Sequence, residues 1–432
     1  MQNLKYKLQQ LANHNKAIQV YIIGLGFMGT SLLVQLESID GIQCRIAGSR
    51  RKESVQNAFQ EAGYESDKII EFTAGSTLHT EYRYIATDIY EAIDIEEIDV
   101  IIDATGDAYE GAKIAQKAIA SGKHLVSFNV ETEAIVGPIL KRKADEKGVV
   151  YTGIAGDEPG SVKELFDFAE FLGFEVLVIG KGKNNPLIHE ADYESLREEA
   201  YRKGLNSHML ATFVDGSKTM IELTSMCNST GFVPDISGCH GIESDLEHLA
   251  ESLDLIENGG ILQSFGVVEY VRGIAPGVFI IVKPKHDIID HELKFLKVGK
   301  GPHYVLYRPY HLTSMEAPIT IAQAYFEKIP TIAPKSIVPS ADTIAVAKKD
   351  LFAGNQLDEP GGKSVYGTIV DYKTSRNKKY LPYGFVHPGV RMKMDVKKGT
   401  PLTYDMVDLP SSTLLDLRKE LDKCVDEMER IV

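Results

Sequence analysis

The stretch "YRPYHLTSMEAP", Tyr307–Pro318, sets Arg308 and His311 among large rings, just ahead of an apolar helical run. A buried strand would not tolerate so many polar groups without partners, so the stretch reads as pocket lining. A guanidinium forks onto carboxylate or phosphate oxygens, and an imidazole transfers protons near neutral pH. A structural histidine at a domain junction is the alternative for His311. A second cationic group, Gly180-Lys181-Gly182-Lys183-Asn184-Asn185, closes an apolar strand expected from Phe174 to Ile179. It is either an anion clamp or an exposed basic turn. Asp215-Gly216-Ser217 then opens a helix on which Lys218, Glu222, Ser225 and Ser229 recur at spacings of four, three and four, on one face. Lys218 and Glu222 are either an exposed i,i+4 ion pair or part of a polar face turned to a ligand, with Met220, Leu223 and Met226 packing elsewhere. His311, Lys218, Glu222 and Asp215 are the expected catalytic groups; Glu131, Lys181, Lys183, Asn228 and Arg308 are the expected substrate contacts.

These groups need a reaction partner, and the N-terminal third supplies a site for one. The apolar run Ile18–Ile23 leads into Gly24-Leu25-Gly26-Phe27-Met28-Gly29 and then a helical run through Leu32, Leu33 and Leu36. In this setting Gly24 allows the tight turn, Gly26 lets the backbone approach a pyrophosphate at the helix N-terminus, and Gly29 lets helix and strand pack closely. The next strand ends in Gly48-Ser49-Arg50-Arg51 rather than in the acidic residue that binds a ribose 2′-hydroxyl. Two guanidiniums and a hydroxyl suit a 2′-phosphate, hence NADP(H); a solvated basic turn is the alternative. A polar, Tyr-bearing stretch between Gly63 and Glu91 reads as an insertion near the adenine side. Val100–Ile102 then forms a buried parallel strand ending in Asp103-Ala104-Thr105-Gly106, and "HLVSFN" ends at Asn129. Ala104, Thr105, Gly106 and Asn129 are expected to flank the nicotinamide. Asp157, Glu158, Gly160 and Ser161 gather at a further helix start, where Glu158 either caps the helix or faces the substrate.

Composition fits this chemistry. The chain has 432 residues, 44% hydrophobic and 25% charged, with a net charge of -14, which disfavours nucleic acid and leaves an anionic ligand dependent on a local cationic pocket. Four scattered cysteines show neither disulfide nor metal spacing, in keeping with a reducing cytoplasm. "MQNLKYKLQQLANHNK" has no apolar core of a signal segment, and no run is long enough to span a bilayer.

The order GxGxxG, "DATG", "GKHLVSFN" resembles the homoserine dehydrogenase group over roughly residues 17–330. In that group a catalytic lysine follows the asparagine; here Val130 and Glu131 stand after Asn129, which argues against homoserine oxidation itself. The segments "NVETEAIVGP", "GDEPGSVKEL", "GFEVLVIGKGK", "FVDGSKTMIEL", "NSTG" and "YRPYHLTSMEAP" resemble a branch with a C-terminal SAF domain, which includes 1-deoxy-D-xylulose 5-phosphate reductoisomerase-like enzymes. The resemblance implies NADP(H)-dependent isomerisation and reduction of a small phosphorylated sugar, within isoprenoid biosynthesis. It also implies a homo-oligomer and room for a divalent metal, although no metal-ligand spacing is visible. A simple polyol or sugar-acid dehydrogenase, or an NADP-binding sensor without turnover, are the competing functions.

The C-terminal quarter follows prolines 330, 334 and 339. "KDLFAGNQL" (Lys349–Leu357) and "MDVKKGTPL" (Met394–Leu402) form a weak internal repeat with Gly354 and Gly399 at equivalent turns, and this resembles a SAF (β-clip) domain. Leu414, Leu417, Leu421, Val425 and Met428 mark an amphipathic final helix, with serines ahead of it as caps. The expected architecture is α/β: an NADP-binding Rossmann domain (1–160), an α+β substrate and oligomerisation domain (161–330) and a SAF-like β-clip domain with a C-terminal helix (331–432).

Overall fold

The computed structural model describes residues 2–75 and 77–430. By compactness the chain forms two units: Met1–Gly160 with Leu312–Ala333 and Asp416–Val432, and Ser161–His311 with Pro334–Leu415. The segment expected as a third domain is thus shared between them. Among the described residues no helix is long and apolar enough to cross a membrane.

The first unit is built on a seven-stranded parallel sheet of β1 (Ile18–Ile23), β2 (Ile42–Gly48), β3 (Ile69–Glu71), β4 (Arg83–Ala86), β5 (Val100–Asp103), β6 (His124–Ser127) and β7 (Tyr151–Gly153), in the order β3-β4-β2-β1-β5-β6-β7. β1 is β-branched or aromatic at every position but Gln19, because helices cover both faces of such a sheet. The order reverses at β1, so ligands are received beyond the carboxyl ends of β1 and β5. The stretch Gly63–Glu91 is not an insertion: β3 and β4 lie within it and extend the sheet beyond β2. The Ala317–Phe326 helix begins where the sequence placed it, and buries Ala317, Ile321 and Ala324 in the core of this unit. The final helix, Thr413–Glu429, packs on its own chain: from Asp416 onward it belongs to this unit, and Arg418 Nη1 donates to the Ile135 carbonyl at 3.2 Å.

The second unit carries a five-stranded sheet of β8 (Glu175–Gly182), β9 (Val233–Pro234), β10 (Val267–Val271), β11 (Val278–Lys283) and β12 (Tyr304–Arg308), in the order β12-β11-β8-β10-β9. β8, β9 and β10 run parallel, with β11 antiparallel to β8 and to β12. The Ser217–Thr230 helix packs between this sheet and an antiparallel pair, β13 (Ala341–Ala347) and β14 (Val365–Asp371), so every residue of it but Lys218 is buried.

Around β13 and β14 the two copies of the internal repeat bind one another. Leu351 and Val396 exchange N–H···O bonds of 2.8 Å in both directions. Asp350 Oδ1 accepts from the Lys398 N–H at 2.9 Å, and its counterpart Asp395 accepts from the Ala353 N–H at 2.8 Å. Gly354 donates to the Met392 carbonyl and Gly399 to that of Ala347, both at 2.8 Å. Both glycines have positive φ, +86° and +80°, at equivalent turns.

Candidate functional site

In the first unit, β1 delivers the chain into the glycine turn. Gly24 has φ +100°, and a Cβ there would stand 2.6 Å from the Ala104 carbonyl and 2.8 Å from the Thr105 nitrogen. A Cβ on Gly29 would stand 2.0 Å from the Gly24 oxygen, so only glycine lets the Phe27–Leu36 helix start this close to the strand. Gly26 caps that helix without a side chain, and nothing lies within 4 Å of where its Cβ would be. Phe27 is 77% exposed and Met28 38% exposed. The first turn of the helix therefore offers backbone N–H groups to an anion that approaches past the bare Gly26. These features fit a dinucleotide pyrophosphate. The tip of β2 is tied to the turn by the Gly24 N–H donating to the Gly48 carbonyl at 2.8 Å. Beyond that tip Ser49 is half-buried and Arg50 and Arg51 are exposed.

Past β5, the Thr105 N–H and hydroxyl donate to Asp103 Oδ1 at 3.0 and 2.7 Å, and Gly106 takes φ +66°. Asn129 is fully buried and caps the Val130–Lys147 helix, its Oδ1 accepting from the Thr132 N–H at 3.1 Å. Its Nδ2 faces Asp103 Oδ2 at 3.1 Å, Thr105 Oγ1 at 3.2 Å and the Asp107 carbonyl at 2.9 Å. Asn129 thus ties the β5 and β6 tips together. Glu131 is half-buried in the first turn of the same helix.

In the second unit, Lys181 lies inside β8 rather than on a turn beyond it, because the strand runs three residues further than its apolar stretch. Lys181 forms a buried ion pair with Glu222 of the Ser217–Thr230 helix. Glu222 faces the sheet from its helix, and Lys218 sits half-buried at the helix start. Lys183 is buried just past β8 and donates to the Phe213 carbonyl at 2.6 Å. Burial, and then the Lys181 charge, push its ammonium down to about 8, against the opposing pull of Glu222 and Asp215. Lys183 can therefore give or take a proton close to neutral pH.

Asn228, on the same helix, accepts from the Ser340 and Ala341 N–H groups at 2.8 and 3.2 Å and so anchors the start of β13. Asp215 is fully buried, with Oδ2 ion-paired to Lys348 Nζ at 2.8 Å and Oδ1 accepting from the Ser217 N–H at 2.8 Å. Arg308, at the end of β12, donates from Nη1 to Ser161 Oγ and Glu164 Oε2 at 3.0 Å each and lies over the Tyr310 ring. His311 is half-buried three residues on. The structure thus gathers Lys181, Lys183 and Glu222 into one buried polar cluster, and gives Asp215 and Asn228 anchoring contacts.

Sequence patterns did not single out Lys348 or Glu269. Glu269, fully buried on β10, accepts from the His240 N–H at 2.9 Å and the Gly241 N–H at 3.3 Å. Burial pushes its carboxyl up to about 7, with those two N–H groups opposing. A folded-state value above the unfolded one means stabilisation that is complete below the ordinary carboxylate range and is lost as pH rises through about 7. Wild-type stability relative to Glu269→Gln is thus expected to fall between pH 5 and pH 8, measured by thermal melts across that range; a difference independent of pH would contradict it.

Residues 156–317 match the family model described as "Oxidoreductase DRL, catalytic domain". A homoserine dehydrogenase of Pseudomonas aeruginosa is 31% identical over 147 residues, 33% of this chain, and the chain spans about a third (31%) of that relative's length. Among solved structures, a 3-ketoreductase from Actinomadura kijaniata, in complex with NADP and TDP-benzene, aligns with TM-score 0.39 and 12% identity over 74% of this chain and 92% of its own. A myo-inositol dehydrogenase from Lactobacillus casei, in complex with NAD(H) and myo-inositol, aligns with TM-score 0.28 and 15% identity over 46% and 55%.

Proposed function

We propose that the chain is an NADP(H)-dependent oxidoreductase acting on a small anionic, phosphorylated sugar or polyol, of the reductoisomerase-like kind. The observation that carries this is the Gly24–Gly29 turn, where a Cβ at Gly24 or Gly29 would strike backbone while Gly26 stands clear. The match to an oxidoreductase catalytic domain supports it. When bound, the nicotinamide supplies the hydride. The helix N-terminus after Gly26 receives the pyrophosphate, Ser49, Arg50 and Arg51 take the 2′-phosphate, and Ala104, Thr105 and Gly106 border the ring, held by Asn129. Lys181, Lys183, Lys218 and Arg308 draw in the anionic substrate, with Asn228 assisting. Lys183 and His311 move protons at the substrate oxygens, and Glu222 holds the Lys181 ammonium in place. The clip around β13 and β14 is of SAF type in this proposal, and the working form is a homo-oligomer in the cytoplasm.

Simple dehydrogenation of a polyol or sugar acid is the second reading, favoured by the stretch shared with a homoserine dehydrogenase.

The test is a binding titration with NADPH and NADH, followed by turnover on a panel of sugar phosphates and sugar acids with and without a chelator. NADPH is expected to bind more tightly, and replacing Arg50 and Arg51 with alanine to erase that preference. Each charge-assisted contact is worth about 1.5–3 kcal/mol, or roughly tenfold to a hundredfold in affinity. Equal affinity of the unaltered protein for both cofactors would end the NADP assignment. Turnover of acids but not sugar phosphates would select the second reading.

A further inference from the structure

Asp103 closes β5 with its side chain buried. Its carboxylate takes donors from two directions: the Thr105 N–H and hydroxyl on Oδ1, at 3.0 and 2.7 Å, and Asn129 Nδ2 on Oδ2, at 3.1 Å. Thr105 lies directly against the glycine turn, since a Cβ on Gly24 would come within 2.8 Å of its nitrogen. On the other side the cluster has no slack. A Cβ on Gly111 would stand 2.2 Å from Thr132 Oγ1, 2.4 Å from Asn129 Nδ2 and 2.8 Å from Asp103 Oδ2.

We propose that Asp103 is a positioning residue for the dinucleotide: its carboxylate fixes Thr105 and Asn129, and through them the turn that borders Gly24, in the arrangement that receives the nicotinamide end. Asp103 acts through these two residues and does not itself touch the cofactor. The proposal rests on the NADP(H) reading above.

The carboxylate form is what the arrangement requires. Protonation removes the charge that strengthens the contacts from Thr105 and Asn129 and uses the remaining acceptor site on Oδ2, so the hold on both residues weakens. Burial pushes Asp103 up to about 6, its hydrogen bonds to Thr105 and Asn129 opposing and the charge of Glu131 adding to the rise. The groups that act on it are acidic: Glu131 from the Val130–Lys147 helix, and Tyr151 from β7, whose phenol is itself raised by burial and by the charges of Glu133 and Asp103. Above about pH 6 the ionised carboxylate holds the turn; below that the proton loosens the hold.

Asp103→Asn mimics the protonated acid: its Oδ1 still accepts from Thr105, but its amide meets that of Asn129 donor to donor. The measurement is NADPH affinity by fluorescence titration, for wild type and variant, from pH 5 to pH 7.5. The expected ratio of dissociation constants, variant over wild type, is roughly ten at pH 7.5, declining toward one near pH 5 as the wild type protonates. The 2′-phosphate titrates in the same range, but it affects both proteins alike and cancels in the ratio. A merely structural role would give a ratio independent of pH. A ratio of one at pH 7.5, or a constant ratio across the range, overturns the proposal. If Asp103→Asn does not fold, Thr105→Val, which keeps the backbone N–H and loses the hydroxyl donor, decides on the same criterion. It is expected to weaken binding roughly threefold at pH 7.5, and to converge with wild type at low pH. Failure of the wild type to bind NADPH or NADH at pH 7.5 removes the cofactor reading, and this inference with it. Binding with a flat ratio removes this inference alone.

Discussion

Replacing Lys348 with methionine is expected to lower the stability of the protein by about 3–5 kcal/mol, the cost of leaving one member of a buried ion pair without its partner. Lys348 is 5% exposed, and its ammonium meets Asp215 Oδ2 at 2.8 Å and the carbonyls of Ala191 and Gly362 at 2.6 and 2.7 Å. Two of its protons thus go to carbonyls, and its charge faces the carboxylate. Methionine fills much of the same volume but strands the Asp215 carboxylate, which keeps the Ser217 N–H at 2.8 Å. The two carbonyls lose their donor as well. The measurement is a denaturant titration, in which the midpoint should fall at an unchanged slope. Adding Asp215→Asn to the methionine variant removes the stranded charge, and is expected to recover part of the loss, a coupling that a double-mutant cycle reads directly. A loss below about 1 kcal/mol would show that Asp215 is not relying on Lys348.

Gly29→Ala is expected to cost about 1–3 kcal/mol in packing at the glycine turn and to weaken NADPH binding roughly tenfold to a hundredfold. The added methyl would meet the Gly24 oxygen at 2.0 Å, and that oxygen is backbone, so the helix must retreat from the strand. Gly24 has no room to yield, because it stands against Ala104 in turn. Gly26→Ala makes the contrast. Its methyl meets nothing in the protein within 4 Å, so melting temperature should hold while NADPH affinity falls, since the methyl projects where the pyrophosphate is received. If both variants bind NADPH as the wild type does, the turn is not a cofactor site.

What was legible in the sequence was local. The glycine turn is six consecutive residues, and its strand and helix flanks announce themselves by apolar runs on either side. β5 and the Ala317–Phe326 helix also lie where the sequence put them. What escaped depends on residues far apart in the chain. The four-residue spacing of Lys218 and Glu222 is visible in the sequence, but the sheet also brings Glu222 Lys181 from 41 residues away, which no local pattern announces. The Ser217–Thr230 helix read as two-faced because it mixes Ser, Thr, Asn and Cys with Met and Leu; these small polar side chains let it be covered on both sides. β3 and β4 are three and four residues long, too short for any alternation to stand out, so the stretch holding them read as an insertion. Lys348 follows the apolar run of β13, where a lysine looks like the start of a surface turn, and only the fold reveals Asp215 beside it.

The paired repeats set a condition on how the chain comes together. Neither copy is self-sufficient, since the N–H groups of Leu351, Ala353 and Gly354 find acceptors in residues 392–396, and those of Val396, Lys398 and Gly399 find theirs in residues 347–351. The first copy therefore leaves the ribosome with its hydrogen bonds unmade and stays so until the second has followed it out. The intervening segment must close as a loop before either copy is rewarded, an entropic toll that grows only slowly with its length. Insertions between the copies should thus be tolerated better than deletion of one of them. A chain cut short before residue 392 would display an unpaired edge suited to capture by the second copy of another molecule, which is the route by which such halves exchange between chains.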